Sequence, residues 1–267
     1  MKWSSRRVLA SIFERRWVGG RIAALTKREQ QSVRALREEL LQEAEAGDLT
    51  SLVSLGWIYH VGIGVRKNPR EATRCYAAAV SGLRDRDVLR LGLSSAVLNL
   101  GTLRLKGPLS IRDERSGAAL LARAAKLGEP LAQLHYGRCL LQGLGTSRNR
   151  KMAVMWLSKA ALTSNRAAAS QWVLQAEVVR KEAAVDLAWE FDYRKPRNAR
   201  LAAYWYRKAA RGGSVDAMVN LGVLYANGDG VRKSIPMALA CYRRAAQRGN
   251  ATAKANLAEL RTLGRQT

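Results

Sequence analysis

The sequence predicts an all-α fold, a solenoid of about five helical hairpins with capping helices. Three observations predict it: a segment that recurs along the chain, apolar residues at helical spacing within each copy, and glycines between the two halves of a copy. The clearest copy, Asp216–Asn250, aligns without gaps with an earlier segment that begins at Ser51. In this alignment Gly56 falls on Gly222. Such recurrence is typical of stacked repeats rather than of a single globular core.

The remaining copies fix the period of the repeat and show where it is interrupted. Gly101 and Gly137 lie 36 residues apart, and this is the base period. Longer spacings elsewhere place insertions near Leu83–Ser95 and Ser164–Val179. The fourth copy has no glycine loop, because Asp192–Tyr193–Arg194 stand where the other copies carry Gly-x-Gly.

Each copy is expected to form two helices joined by a short loop. The first helix ends at glycines, which adopt positive φ at no steric cost. The second helix begins after a polar residue that can cap its free N–H groups. In four copies we expect these N-caps to be Asn68, Asn149, Asn198 and Ser234. No single hairpin buries its own apolar side, so neighbouring hairpins must stack.

The repeat resembles the Sel1-like repeat family, which is related to the tetratricopeptide repeats. The resemblance is carried by DAMVNLGVLYANGDGV and LAAYWYRKAARGG, and it covers roughly residues 44–260. It implies a right-handed solenoid of helical hairpins, and a protein-binding scaffold without chemistry of its own. The chain departs from the family pattern at the acidic residue after Gly-Val, which is Asn in three copies and Ser in a fourth.

The composition excludes several classes of protein. The three cysteines form no CxxC pair, which argues against a disulfide scaffold or a zinc module, and there are only two histidines. No apolar stretch approaches the roughly 20 residues of a membrane-spanning helix. We find no catalytic constellation, and we predict no enzyme activity, no metal and no cofactor. Cys75, Cys241, Trp156, Trp205 and Trp189 occupy repeat positions that we expect to be buried.

The chain is strongly basic, with 46 Lys and Arg against 21 Asp and Glu and a formal net charge of +25. Basic residues recur at the same place in the inter-helix loops. Equivalent positions of a solenoid lie along one edge, so these loops predict a basic ridge. The predicted polyanion-binding residues are Arg66, Lys67, Arg70, Arg148, Arg150, Lys151, Arg194, Lys195, Arg197, Arg200, Arg232 and Lys233.

Three interpretations of this basic edge remain open at the level of sequence. It could follow the phosphate backbone of an RNA, it could bind an acidic protein, or its charges could simply be solvated. RNA contact would be to backbone and shape, because no RNA-binding module motif is present. A protein partner is also expected on the concave face, which first-helix residues would line.

The N-terminal 28 residues lie outside the repeats and carry eight Lys or Arg and one acid. Leu9, Ile12, Phe13 and Trp17 fall on one helical face. An amphipathic, Arg-rich, acid-poor start is typical of a mitochondrial presequence, although an RNA-contacting arm or a covering helix fits too. Residues 29–48 are expected to cap the solenoid that spans 49–267. These features favour a scaffold of the mitochondrial matrix, in the ribosome or its assembly machinery. The alternative function is a bacterial or organellar adaptor for an acidic client without RNA contact, and the alternative location is the cytoplasm.

Overall fold

The computed structural model describes residues 17–18, 21–22, 25–163 and 173–263, and this part of the chain is almost entirely helical. A short antiparallel ribbon pairs β1 (Trp17–Val18) with β2 (Arg21–Ile22). The helices are α1 (Lys27–Glu45), α2 (Leu49–Val61), α3 (Pro69–Val80), α4 (Asp85–Arg90), α5 (Ser94–Lys106), α6 (Glu114–Lys126), α7 (Pro130–Gln142), α8 (Arg150–Leu162), α9 (Val173–Tyr193), α10 (Ala199–Arg211), α11 (Val215–Asn227), α12 (Ile235–Ala246) and α13 (Ala251–Leu263). The predicted fold of stacked helical hairpins is confirmed.

The chain divides into two compact units. Unit 1 comprises residues 1–132 and 143–148, and unit 2 comprises residues 133–142 and 149–267. In unit 1, α2 pairs with α3 and α5 with α6, while α1 packs on α2 and α3 on α5. In unit 2, α9 pairs with α10 and α11 with α12, while α8 packs on α9, α10 on α11 and α13 on α12. Helices α3, α10 and α12 are therefore each held between two helices of their own unit.

The N-terminal segment differs from the expected helix where the structure describes it. Trp17 lies in β1 and pairs with Ile22, so the helical face does not extend to Trp17. Leu9, Ile12 and Phe13 lie outside the described residues. Helix α1 begins at a capping box, in which the Glu29 N–H donates to the Thr26 hydroxyl at 3.2 Å and Glu29 accepts from the Thr26 N–H at 2.9 Å. These bonds satisfy two N–H groups that the first turn would otherwise leave free.

A glycine in the middle of the first helix lets the hairpin close tightly in every repeat except the fourth, where α9 carries Asp186 at this position. A Cβ on Gly56 would lie 2.7 Å from the Tyr76 ring, and one on Gly222 would lie 2.5 Å from the Tyr242 ring. Both separations are too short for real side chains. The Leu-Gly pair of α2 and of α11 is therefore a packing requirement, because the second-helix tyrosine fills the space that a side chain would need.

The predicted helix ends are confirmed. Gly62 and Gly228 close their helices in the left-handed conformation, with φ of 84° and 81°. Each predicted N-cap side chain accepts from the N–H three residues later, in Asn68, Asn149, Asn198 and Ser234. Pro69 occupies the first turn of α3, where its missing N–H costs nothing.

The two insertions are built differently. The first contains α4, whose Val88 is buried, and Arg123 of α6 fixes it by donating to Asp85 at 2.7 Å and to the Leu83 carbonyl at 2.6 Å. The second lies partly outside the described residues. Its described end extends the first helix of the fourth repeat, so that α9 has 21 residues where the other first helices of the repeats have 13.

Candidate functional site

The inter-helix loops of each unit pack against the start of the preceding second helix. A Cβ on Gly145 would collide with the backbone of Glu114, the first residue of α6 in unit 1. In unit 2 a Cβ on Gly230 would collide in the same way with Ala199, the first residue of α10. Both glycines have positive φ, 66° and 67°. Within each unit, this contact sets successive loops beside one another and so positions their basic side chains.

The end of each loop is fixed to the first helix of its own hairpin. The Asn68 N–H donates to the Tyr59 carbonyl at 2.9 Å, and the Ser234 N–H donates to the Tyr225 carbonyl at 2.8 Å. The same residues cap the second helices with their side chains. One polar residue thus ends the loop and starts the helix, which places the basic residues beside a first-helix tyrosine.

Arg150, one of the predicted polyanion-binding residues, forms contacts inside unit 2. Its Nε donates to the buried Glu190 carboxylate at 2.6 Å, and Nη2 donates to the Glu190 carbonyl at 3.2 Å. Nη1 lies 3.5 Å from the Lys195 carbonyl. Arg150 therefore joins the start of α8 to the loop of the next repeat, and much of its charge compensates a buried carboxylate.

Arg197 stabilises the turn of the fourth repeat, where the glycine loop is missing. Its Nε and Nη2 donate to the Asp192 carboxylate at 3.0 and 2.9 Å, and Nη2 also donates to Asp229 of the following loop at 3.2 Å. Asp192 accepts from the Tyr206 hydroxyl at 3.2 Å as well. The forked guanidinium of Arg197 thus closes this turn, which lacks the Gly-x-Gly of the other copies, and links it to the neighbouring loop.

The other predicted basic residues lie at the surface of the two units. Arg66, Lys67, Arg70 and Arg148 belong to unit 1, and the rest belong to unit 2. Arg70 donates to the Ser110 hydroxyl at 3.2 Å, and Arg194 lies 4.0 Å from Glu190. The exposed group comprises Arg66, Lys67, Arg70, Arg148, Lys151, Arg194, Lys195, Arg197, Arg200, Arg232 and Lys233. Polyanion binding by these residues remains a prediction.

A basic cavity of about 650 Å³ lies in unit 2 beside the last of these loops. Arg232, Lys233 and Arg207 of α10 line it, together with Tyr225. Arg207 donates to the Tyr225 hydroxyl at 3.2 Å, so the ring and the guanidinium form one wall. The structure thus brings two predicted residues together with Arg207, which the loop pattern does not include.

Trp189 is not a core residue, contrary to expectation. Its side chain is 54% exposed and lies against Tyr193, with ring centroids 4.5 Å apart. Trp156 and Trp205 are buried as predicted, and so is Cys75, whereas Cys241 is half-buried. Trp189 occupies the same repeat position as Tyr225, whose hydroxyl accepts a hydrogen bond from Arg207 of α10. The residue of α8 that is equivalent to Arg207 is Ser158, and its side chain is much shorter.

The charges of unit 2 are separated between its first and second helices. Helices α8, α10 and α12 contain nine Lys or Arg and no Asp or Glu. Each carboxylate of α9 lies within 4 Å of an arginine. Within the described residues, Arg150 is the only cation of α8, α10 and α12 in an ion pair. The second helices therefore present charge that unit 2 does not neutralise.

The described residues contain no group of three or more His, Cys, Asp or Glu side chains placed to hold a metal ion. Over the same residues, no helix combines the length and apolar character needed to cross a membrane.

Comparison with known proteins identifies the repeat. The model of the Sel1 repeat matches five segments, residues 50–82, 94–129, 130–162, 181–214 and 215–250. The chain belongs to the Sel1 repeat family. The matched segments correspond to the successive helical hairpins of the structure, and each insertion falls between two of them. Solenoids of this kind are typically non-catalytic scaffolds for proteins.

Two solved structures share the fold of this Sel1-repeat chain. A Sel1 repeat protein from Oxalobacter formigenes matches with a TM-score of 0.64 and 23% identity, over 85% of this chain and 83% of that protein. The protective antigen c5321 of uropathogenic Escherichia coli matches with a TM-score of 0.55 and 23% identity, over 85% of this chain. The chain spans about half of that antigen, 52% of its length. At this identity the likeness concerns the fold.

Proposed function

We propose that this protein is a non-catalytic scaffold that binds an acidic protein partner through the second helices of unit 2. The observation that carries the proposal is the separation of charge in that unit, where nine cations and no carboxylate lie on α8, α10 and α12. Like charges on one side of a unit repel one another, and an acidic partner relieves that repulsion. The same cations steer the partner toward this side during association.

The distribution of ion pairs favours a partner over simple solvation. Most carboxylates of the unit lie on α9, and arginines from α7, α8 and the following loop neutralise several of them. A chain that needed charge only for solubility would gain from mixing both signs on the surface. The second helices instead leave Arg200, Arg211 and Arg243 exposed, without an acidic residue anywhere on α8, α10 or α12.

The test is purification of the tagged full-length chain from its own cells, with and without RNase, followed by mass spectrometry. We expect acidic proteins that remain after RNase and dissociate as salt is raised. Reversing Arg200, Arg211 and Arg243 to Glu should release them. The matched control reverses Arg90, Lys106 and Lys126, which are exposed in unit 1. Retention of the same proteins by the unit 2 variant would overturn the proposal.

A second candidate function is contact with an RNA backbone within a ribonucleoprotein assembly, a mitochondrial ribosome or its assembly machinery, with residues 1–28 acting in import. The specific observation that favours it is the exposed Trp189–Tyr193 pair, which directly precedes Arg194 and Lys195. Bases stack on exposed aromatic rings, and neighbouring cations hold the phosphates. The import role of residues 1–28 rests on the sequence.

Binding of a labelled single-stranded RNA at several salt concentrations tests this second function. RNA contact predicts a steep linear fall of the logarithm of affinity with the logarithm of salt. Changing Trp189 and Tyr193 to Ala should weaken binding about tenfold or more, since each stacked base contributes about 1–3 kcal/mol. Tyr204→Ala serves as the control, because Tyr204 is exposed on α10 away from the loop. Equal affinity of all three proteins would exclude a stacking role.

A further inference from the structure

The second helices of unit 2 share a row of side chains that the repeat does not require. The row occupies the third, sixth and tenth helical positions, which lie on one face of a helix. Its members are Met152, Met155 and Lys159 in α8, Leu201, Tyr204 and Lys208 in α10, and Met237, Ala240 and Arg244 in α12. We call the third and sixth positions the apolar row and the tenth positions the cation row.

The large side chains of the apolar row are exposed to solvent. Met155 is 37% exposed, Tyr204 is 42% exposed and Met237 is 47% exposed, and Met152 and Leu201 fall between these limits. The cation row lies one turn further along each helix. Lys208 illustrates the proximity, with its ammonium 5.5 Å from the centre of the Tyr204 ring. Each helix thus presents apolar contact area next to a positive charge.

Unit 1 shows that packing of the repeat does not explain the apolar row. At the same helical positions α3 carries Glu71 and Arg74, which form an ion pair at 2.8 Å, and α6 carries Ser116 and Ala119. The hairpins of unit 1 close normally with these residues. Since the fold accepts a solvated ion pair at this place, the methionines, leucine and tyrosine of unit 2 are a property of its surface.

The three helices present their rows on the same side of unit 2. Arg150 at the start of α8 reaches the loop that leads into α10, and Gly230 of the next loop packs on the first residue of α10. The starts of α8, α10 and α12 are therefore in register. Equivalent positions near these starts follow one another across the unit, and the apolar row and the cation row run side by side.

We propose that this face docks an acidic amphipathic helix of the partner protein. The apolar side of that helix covers the apolar row, and its carboxylates meet Lys159, Lys208 and Arg244. Methionine and tyrosine suit such a contact, since methionine adapts its shape and tyrosine adds area at little entropic cost. The inference rests on the proposed function, an acidic protein partner, and adds where and how that partner is held.

Charge complementarity and the limited exposure of the row favour a helix over a lipid surface. Helices that bind membranes insert their apolar side chains about 5–10 Å below the headgroups. The large side chains of the apolar row are instead more than half covered by their own unit, so less than half of each is available for such insertion. A docked helix contacts the exposed part of each side chain with side chains of its own.

The probe is a synthetic helical peptide of about 20 residues, about 30 Å long, with leucines along one side and glutamates beside them. A scrambled peptide of the same composition is the reference. Binding to the full-length chain is measured by fluorescence anisotropy. We expect the amphipathic peptide to bind at least about tenfold more tightly than the scrambled one, because only the former presents both rows together.

Two sets of variants locate the site. Met155→Ser with Tyr204→Ser should weaken the amphipathic peptide about tenfold or more. The control, Leu89→Ser with Leu109→Ser, removes exposed apolar side chains of unit 1 and should leave affinity unchanged. Changing Lys159, Lys208 and Arg244 to Gln should weaken binding and flatten its salt dependence. Circular dichroism melting confirms that the variants remain folded.

Three other outcomes would each overturn a different part of the proposal: the docking site, the proposed function or the helical nature of the partner. Equal binding of both peptides, unaffected by the row variants, would overturn the docking site and leave the acidic-partner function standing. Failure of both peptides, with tight binding of single-stranded RNA, would overturn the function as well. Row-dependent binding to phosphatidylserine vesicles, without peptide binding, would replace the helix by a membrane surface.

Discussion

The two units are built from the same hairpin but differ in what their second helices show to solvent. In unit 1, Glu71 and Arg74 pair on α3, and Arg123 of α6 is used to hold the short helix α4. In unit 2 the corresponding helices expose apolar side chains and unpaired cations. The glycine contacts that stack the loops are alike, with Gly145 in one unit and Gly230 in the other.

The comparison separates the requirements of the fold from those of the surface. Gly56 and Gly145 in unit 1, like Gly222 and Gly230 in unit 2, lie so close to a neighbouring helix that a larger side chain would collide. Positions on the outer face of the second helices tolerate an ion pair, a serine or a methionine. A residue pattern that recurs there in one unit and not in the other therefore points to a partner rather than to folding.

The largest expected effect is a loss of stability on substituting the loop glycines that stack the loops in both units. Gly145→Ala and Gly230→Ala should each destabilise the protein by about 3 kcal/mol or more, because the methyl group collides with the backbone of Glu114 or Ala199. Gly128→Ala and Gly249→Ala are the controls, with positive φ but nothing within 4 Å, and should cost about 1–2 kcal/mol. Urea denaturation measures all four. Equal losses in test and control variants would contradict the stacking role.

The next effect is a loss of stability on removing a loop arginine, which should be larger in unit 2 than in unit 1. Arg150→Met removes the closer of the two arginines beside the buried Glu190 in unit 2. We expect a loss of about 2 kcal/mol, less than for a fully buried pair, because Arg150 is partly exposed and Arg194 remains 4.0 Å away. Arg70→Met in unit 1 removes an exposed hydrogen bond to Ser110 and should cost less than about 0.5 kcal/mol. The measurement is the free energy of unfolding in urea. Similar losses would mean that Glu190 is not stabilised by Arg150.

A smaller effect is expected from copying the surface of one unit onto the other. Met152→Glu with Met155→Arg gives α8 the ion pair of α3 and should change stability by less than about 0.5 kcal/mol. Affinity for the acidic amphipathic peptide should fall about tenfold. The reverse exchange, Glu71→Met with Arg74→Met, should add no peptide binding, since α3 has Ala78 at its tenth position in place of a cation. A gain of binding there would mean that apolar area alone suffices.

The smallest expected effect is a pH dependence of stability that arises from His60 in unit 1. Burial lowers the pKa of His60, and the nearby Lys67 lowers it further. Because the unfolded chain takes up this proton more readily than the folded chain, stability should fall slightly as pH decreases below about 6.5, the ordinary histidine value. His60→Gln should remove that part of the pH dependence between pH 7.5 and 5. An unchanged slope in the variant would contradict the assignment to His60.

The order of residues is enough to predict the repeat, its helices and their ends. Gly62 and Gly228 end helices, and Asn68 and Ser234 begin them, because these residues act on backbone groups a few positions away. The period of 36 residues and the excess of arginine are also visible without a structure. Such features depend on local geometry and on composition, and both are written directly in the order of residues.

Which side chains remain available for a partner is known only from the folded structure. Arg150 and Arg197 match the other loop cations in sequence, but carboxylates from helices and loops distant in the chain neutralise them. Trp189 matches a core position, but the residue of α8 corresponding to Arg207 is a serine, and Trp189 is exposed. The apolar row became recognisable once exposure was known. The physical reason is common to all three: exposure and pairing depend on side chains that a neighbouring repeat contributes, at a distance in sequence that no local pattern spans.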